Sequence, residues 1–113
     1  MVIELREYTT IPGRMPAMVA RFREHALPLF VRHGMDCLFV SVTELGEDCA
    51  NQLVYALRFD SHEDMVAKWR AFRTDPDWQE AKRQSEAAGP LVSRSSRRLL
   101  DEEPFQQLHH MNA

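Results

Sequence analysis

No apolar run in this chain of 113 residues approaches the roughly 20 residues that span a bilayer, and the N-terminus lacks the apolar core of a signal peptide. The chain also lacks a cationic surplus. Fourteen Lys and Arg stand against 17 Asp and Glu, a formal net charge of −3. That argues against non-specific nucleic-acid binding, which draws most of its affinity from clustered Lys and Arg. These absences predict a cytoplasmic protein with neither a membrane nor a nucleic acid as partner. Glycine is scarce, at 4 residues, and no glycine-rich phosphate loop or Ser or Cys nucleophile motif occurs. Cysteine is scarcer still. If residues 37–46 form a strand, Cys37 and Cys49 lie at its two ends, about 30 Å apart for ten residues. A disulfide needs Cα atoms within about 7 Å, so two free thiols are expected. His25, His33, His62, His109 and His110 show no ligand spacing, and no metal is expected.

What is present is an ordinary globular composition, 44% hydrophobic and 27% charged. At this length it predicts one domain over residues 1–113, with enough burial for one core. The most informative stretch is residues 51–64, NQLVYALRFDSHED. Val54, Tyr55, Leu57 and Phe59 are strand formers, and Ser61 with Asp64 reads as a capping box. A buried strand thus runs straight into a helix over residues 62–73, whose Met65, Trp69 and Phe72 share one face.

Residues 2–9 alternate, with Ile3 and Leu5 on one side and Glu4, Arg6 and Tyr8 on the other. Residues 14–33 carry an apolar stripe of Met15, Met18, Val19, Phe22, Ala26, Leu29 and Phe30, with Arg14, Arg21, Arg23 and Glu24 on the wet side. Pro28 should kink this helix near Glu24. Gly34 suits its C-terminal cap. Residues 37–45 and 51–59 read as a hairpin. Asp75 and Pro76 start a third helix that reaches about residue 88, before Gly89-Pro90. A last strand covers residues 91–100 and carries Arg94, Arg97 and Arg98, read as a solvated or salt-bridged edge. The tail from residue 101 is expected to be partly ordered or to dock on a partner subunit.

The order β-α-β-β-α-α-β predicts an α+β fold, a four-stranded antiparallel sheet with helices on one face. The other face keeps too much apolar surface to stay in water. A homodimer joined through the open sheet faces, with a barrel-like interface, is therefore expected.

The segments IELREYTTIPG at 3–13, REHALPLFVRHG at 23–34, NQLVYALRFDSHED at 51–64, DPDW at 75–78 and LLDEEPFQQL at 99–108 resemble the NIPSNAP family across nearly the whole chain. The resemblance implies a ferredoxin-like domain of the dimeric α+β barrel superfamily, in a family without an established general chemistry. Asp101-Glu102 stand where the family commonly has a proline. Haem-degrading members of the superfamily place an Asn on the first strand and a His after the Trp of the second helix region. This chain has neither feature, so no cofactor is expected.

The site candidates are polar or aromatic residues in regular elements. Glu4, Arg6 and Tyr8 could line a pocket, with Arg6 holding a carboxylate and Tyr8 or Glu4 moving a proton. The plainer alternative is a polar or dimer-facing strand surface on which Glu4 pairs with Arg58 or Arg98. Trp69 and Trp78 could stack on a flat ligand, or could simply be core. Tyr55 could bring a hydroxyl to the same cavity. Three functions stay open: a small-molecule-binding dimer, a cofactor-independent monooxygenase or isomerase, and an interaction module acting through its tail. Convergence of Glu4, Arg6, Tyr8, Tyr55 and Trp69 on one closed pocket would favour the second.

Overall fold

A computed structural model describes residues 1–105. Its strands are β1 (Val2–Thr10), β2 (Asp36–Val42), β3 (Gln52–Phe59) and β4 (Val92–Leu100). They form one antiparallel sheet in the order β2-β3-β1-β4. The hairpin of β2 and β3 forms as the turn residues between them suggest. β2 stops at Val42 rather than 45, because residues 43–51 form a turn in which Asp48 and Ala50 take positive φ. Both cysteines are free, and Cys49 lies in this turn.

Residues 15–32 form one helical rod in three pieces, α1 (Met15–Arg21), a π-helical turn (Phe22–Ala26) and α2 (Leu27–Arg32). The expected irregularity at Glu24 takes the form of this π turn. Pro28 has no N–H for the Glu24 carbonyl, and one step earlier the Leu27 N–H donates to Phe22 O, five residues back. The rod ends in a Schellman motif. Met35 N–H donates to Phe30 O and Gly34 N–H to Val31 O, with Gly34 at φ +67°.

Helix α3 (His62–Thr74) starts where the capping signal puts it, with the Ser61 hydroxyl accepting from Asp64 N. Helix α4 (Pro76–Ser85) starts at Asp75, whose side chain accepts from Asp77 N. It ends three residues short of 88, and a turn carries the chain to Gly89. A 3-10 turn at Glu103–Phe105 follows β4. Glu102 pairs with Arg58 at 3.2 Å. The rest of the tail, with Leu108, His109 and His110, lies outside the described residues.

Residues paired across the sheet share a face, and this identifies the covered side. Helix residues Phe22, Phe30 and Trp69 meet the sheet at Glu4, Tyr8 and Tyr55. The helices therefore cover the face of Glu4, Arg6 and Tyr8, not that of Ile3 and Leu5. The core they enclose is aromatic, with Phe22, Phe30, Tyr55, Trp69 and Phe72 in edge-to-face or tilted contact. The open face carries Ile3, Leu5, Val54, Ala56, Phe39 and Leu100, of which Phe39 and Leu100 stay 47% and 40% exposed.

One polar clasp joins the rod to the α3–α4 junction. Asp75 accepts from Arg32 at 3.0 Å and meets His33 Nε2 at 2.7 Å. The His33 contact, the Asp77 N–H and Arg32 hold the Asp75 carboxyl below its ordinary value of 3.8. A depressed carboxyl stabilises the fold above its unfolded pKa, and that contribution disappears as pH falls through the folded pKa. Asp75→Asn keeps a capping acceptor but loses the charge. Its stability deficit against the parent is expected to shrink as pH drops from 7 to 3, measured by urea unfolding. A deficit that stays constant over that range would contradict the clasp.

Candidate functional site

The site lies between the sheet and the helices, and its floor is set by β1. Alternation places Glu4, Arg6 and Tyr8 on one face, and the register puts Leu57, Tyr55 and Leu53 beside them on β3 and Leu99, Arg97 and Ser95 on β4. Above this floor stand the rod, α3 and α4. They enclose a cavity of about 310 Å³ lined by Arg6, Tyr8, Tyr55, Trp69 and Trp78, with Arg21, Phe22, Phe30, Phe72, Arg73, Lys82, Glu86 and Ser95. That volume falls at the small end of the roughly 300–1,000 Å³ usual for ligand sites.

Of the residues singled out in the sequence, Arg6, Tyr8, Tyr55, Trp69 and Trp78 line this cavity. Glu4 does not. It lies behind the wall, fully buried, and accepts from Trp69 Nε1 at 2.6 Å, from Arg97 Nε at 2.6 Å and from Arg6 at 3.4 Å. Its ionic partners are thus Arg97 and Arg6, in place of the Arg58 or Arg98 expected from the sequence. The reason is register: Arg97 shares the covered face with Glu4, whereas Arg58 and Arg98 sit on the open face with Ile3 and Leu5. Arg98 pairs there with Glu7, and Arg94 with Asp48, so the basic strand β4 is a salt-bridged edge.

A continuous polar chain runs from Glu4 into the cavity. Arg6 Nε donates to Tyr8 Oη at 3.1 Å, and Tyr8 Oη meets Tyr55 Oη at 2.8 Å. The Arg6 guanidinium also stacks over the Trp69 ring at 4.7 Å. Burial pushes the Tyr55 phenol well above its usual 10, so it holds its proton at neutral pH. The chain as a whole fixes hydroxyl donors and a cation against an aromatic wall. That arrangement can orient a ligand oxygen, but it offers no free carboxylate base.

Four charged lining residues are not among the candidates read from the sequence, namely Arg21, Arg73, Lys82 and Glu86. Arg21 is the most consequential. The sequence pattern puts it on the wet side, yet it is only 6% exposed. The signal was present: Arg21 follows Met18 by three and precedes Phe22, so it falls on the apolar stripe itself. Its guanidinium lies over the half-buried Trp78 indole at 5.4 Å, and both residues line the cavity. Arg73, Lys82 and Glu86 come from α3, α4 and the turn after α4, and only tertiary packing collects them.

Among the described residues no group of three or more His, Cys, Asp and Glu side chains is placed to hold a metal ion, and no helix is long and apolar enough to cross a membrane.

Solved structures with the same fold include an uncharacterized NIPSNAP domain protein from Burkholderia xenovorans, 18% identical over 93% of this chain and 97% of that one, TM-score 0.79. A NIPSNAP family protein from Agrobacterium tumefaciens is 20% identical over 95% and 97%, TM-score 0.81. A putative antibiotic biosynthesis monooxygenase from Nitrosomonas europaea is 10% identical over 89% and 97%, TM-score 0.62. At these identities the likeness shows the fold alone. No curated protein matches the sequence. The NIPSNAP family model matches residues 3–107, nearly the whole chain, and on that match the chain belongs to the NIPSNAP family.

Proposed function

We propose that the protein is a homodimer whose protomers each bind a small organic molecule in the cavity between sheet and helices. The observation that carries this reading is the convergence of Arg6, Tyr8, Tyr55, Trp69 and Trp78, from two strands and two helices, on one cavity. A cavity walled by aromatic rings with a few fixed polar groups is the usual form of a ligand site. The open sheet face supports the dimer. Phe39 and Leu100 are substantially exposed there beside Ile3, Leu5 and Val54, and a second copy would cover the same surface by two-fold symmetry.

Ser95 offers a direct test. It is exposed, lies on β4 at the cavity wall opposite Tyr8, and makes no part of the core. Trp suits a strand and would occupy the cavity mouth. In a thermal-shift screen of small organic compounds, the parent should be stabilised by its ligands, by about 2.7 kcal/mol at 100 times Kd. Ser95→Trp should fold normally and lose that response. Equal stabilisation of parent and variant would put binding elsewhere and defeat the proposal.

A second reading makes the same cavity the site of a cofactor-independent monooxygenase. It is favoured by the Tyr8–Tyr55 hydroxyl pair beside Arg6 and by the fold shared with the Nitrosomonas protein. Four of the five residues whose convergence would support it do line the cavity, and Glu4 is hydrogen-bonded to that set. Oxygen uptake on adding compounds found in the thermal screen would favour it; none would leave a binding protein.

A further inference from the structure

Two cavity arginines differ in how well their charge is met. Arg6 is bonded to Glu4 and Tyr8 and stacked on Trp69. Arg21 is buried more deeply and answered less. Its Nε has no hydrogen-bond partner among the described residues. Its terminal nitrogens reach only Ser85 Oγ at 3.4 Å, Met18 Sδ at 3.7 Å and the Glu86 carboxylate at 3.9 Å. A guanidinium carries five donors and suits a planar two-oxygen acceptor, so this is a poor set of partners for a buried one. Leaving such a charge underpaired is costly unless something else pairs it.

The surroundings favour an anion in that role. Arg6, Arg73 and Lys82 line the same cavity, and among the described residues Glu86 is the sole lining carboxylate. Arg73 and Lys82 have no ion-pair partner among the described residues. Glu86 stands at the C-cap of α4, where the helix dipole disfavours a negative charge, and its side chain is 32% exposed. It can swing into water when another carboxylate takes its place. Beside Arg21, the Trp78 and Phe72 rings line the cavity, with centroids 4.8 Å apart.

Resting on the pocket reading above, we propose that the natural ligand is a small aromatic carboxylic acid. Its carboxylate is held by Arg21 and its ring lies against Trp78 and the buried aromatic wall. Arg21 is the specificity-determining residue in this arrangement. A neutral analogue of the same shape fills the wall but leaves the guanidinium unpaired.

Isothermal titration of the full chain with 2-naphthoate and with 2-naphthamide tests this, because the two probes share a ring and differ in charge. The acid is expected to bind at least about tenfold more tightly, as a charge-assisted pair over a neutral one requires. Arg21→Gln should bring the acid down to the affinity of the amide, while the amide changes little. Arg23→Gln, an exposed position on the same rod, should leave the preference intact. Equal binding of acid and amide by the parent overturns the proposal whether or not Arg21→Gln folds, and leaves the pocket reading standing. Failure of both probes to bind also overturns it, and the pocket reading then depends on the Ser95→Trp comparison alone.

Discussion

Glu4→Ala is expected to lower the free energy of unfolding by about 3 kcal/mol, the low end of what breaking a buried ion pair costs. Glu4 is fully buried and joins three partners from three elements, Arg6 on β1, Arg97 on β4 and Trp69 on α3. Deleting its carboxylate leaves the buried Trp69 N–H without an acceptor, which alone costs about 1–3 kcal/mol. It also strips the ionic partner from Arg6, whose side chain is only 21% exposed. Arg97 is half exposed and can turn to water, so the total stays near 3 rather than 5. Glu4→Gln keeps an acceptor for the indole and loses only the charge, so it should cost less, about 1–2 kcal/mol. Urea unfolding with an unchanged m-value reads both. A Glu4→Ala penalty below about 1 kcal/mol, or a larger penalty for Gln than for Ala, would mean that the carboxylate does not hold strand, edge and helix together.

The second large effect concerns assembly. Val54→Asp is expected to weaken the proposed dimer by at least about a thousandfold, since an unpaired carboxylate buried at an interface costs several kcal/mol and symmetry buries two. Val54 lies on the central strand β3, on the open face, beside Glu7 of β1 and Ser41 of β2. Glu7 adds like-charge repulsion. In an isolated protomer the new carboxylate faces water, so helix and strand content should be unchanged by circular dichroism. Sedimentation velocity across a concentration series gives the answer. A variant that sediments as the parent does, at micromolar concentrations, would remove the open face from the interface.

Much of the fold is legible in the sequence because local chemistry punctuates it. Ser61 with Asp64, and Asp75 with Pro76, announce helix starts that are found at those residues. Gly34 supplies the positive φ that ends the rod. The strand alternation in residues 2–9 is also correct, but alternation alone does not say which side the helices cover. A local reading makes Ile3 and Leu5 the plainly apolar side, whereas the helices lie on Glu4, Arg6 and Tyr8. That polarity can be buried only because Trp69 and Arg97, 65 and 93 residues away, complete its bonds. Ends of elements were less legible for a related reason. β2 yields to a turn at residue 43 through backbone bonds from Thr43 to Gln52 and from Ala50 to Thr43, which no single residue signals.

The candidate site divides in the same way. Tyr55, Trp69 and Trp78 stand out by size and spacing, and the cavity uses each of them. Trp69 serves both roles considered for it, since it packs in the core and also lines the cavity wall. Arg21 was hidden by its charge. On a helix an arginine within an apolar stripe is ordinarily assigned to the rim, where its stem lies on the core and its head reaches water. Here Trp78, Glu86 and Ser85 close over it from α4 and the turn that follows. Those contacts span more than fifty residues of sequence, so no local pattern contains them.

The most direct test of the account is native mass spectrometry of freshly purified protein, followed by denaturing spectra of whatever dissociates. A mass of two chains plus a small organic molecule per chain, lost in Ser95→Trp, is the predicted result. A single chain, or a dimer that stays empty when offered the compounds that stabilise it in solution, would contradict it.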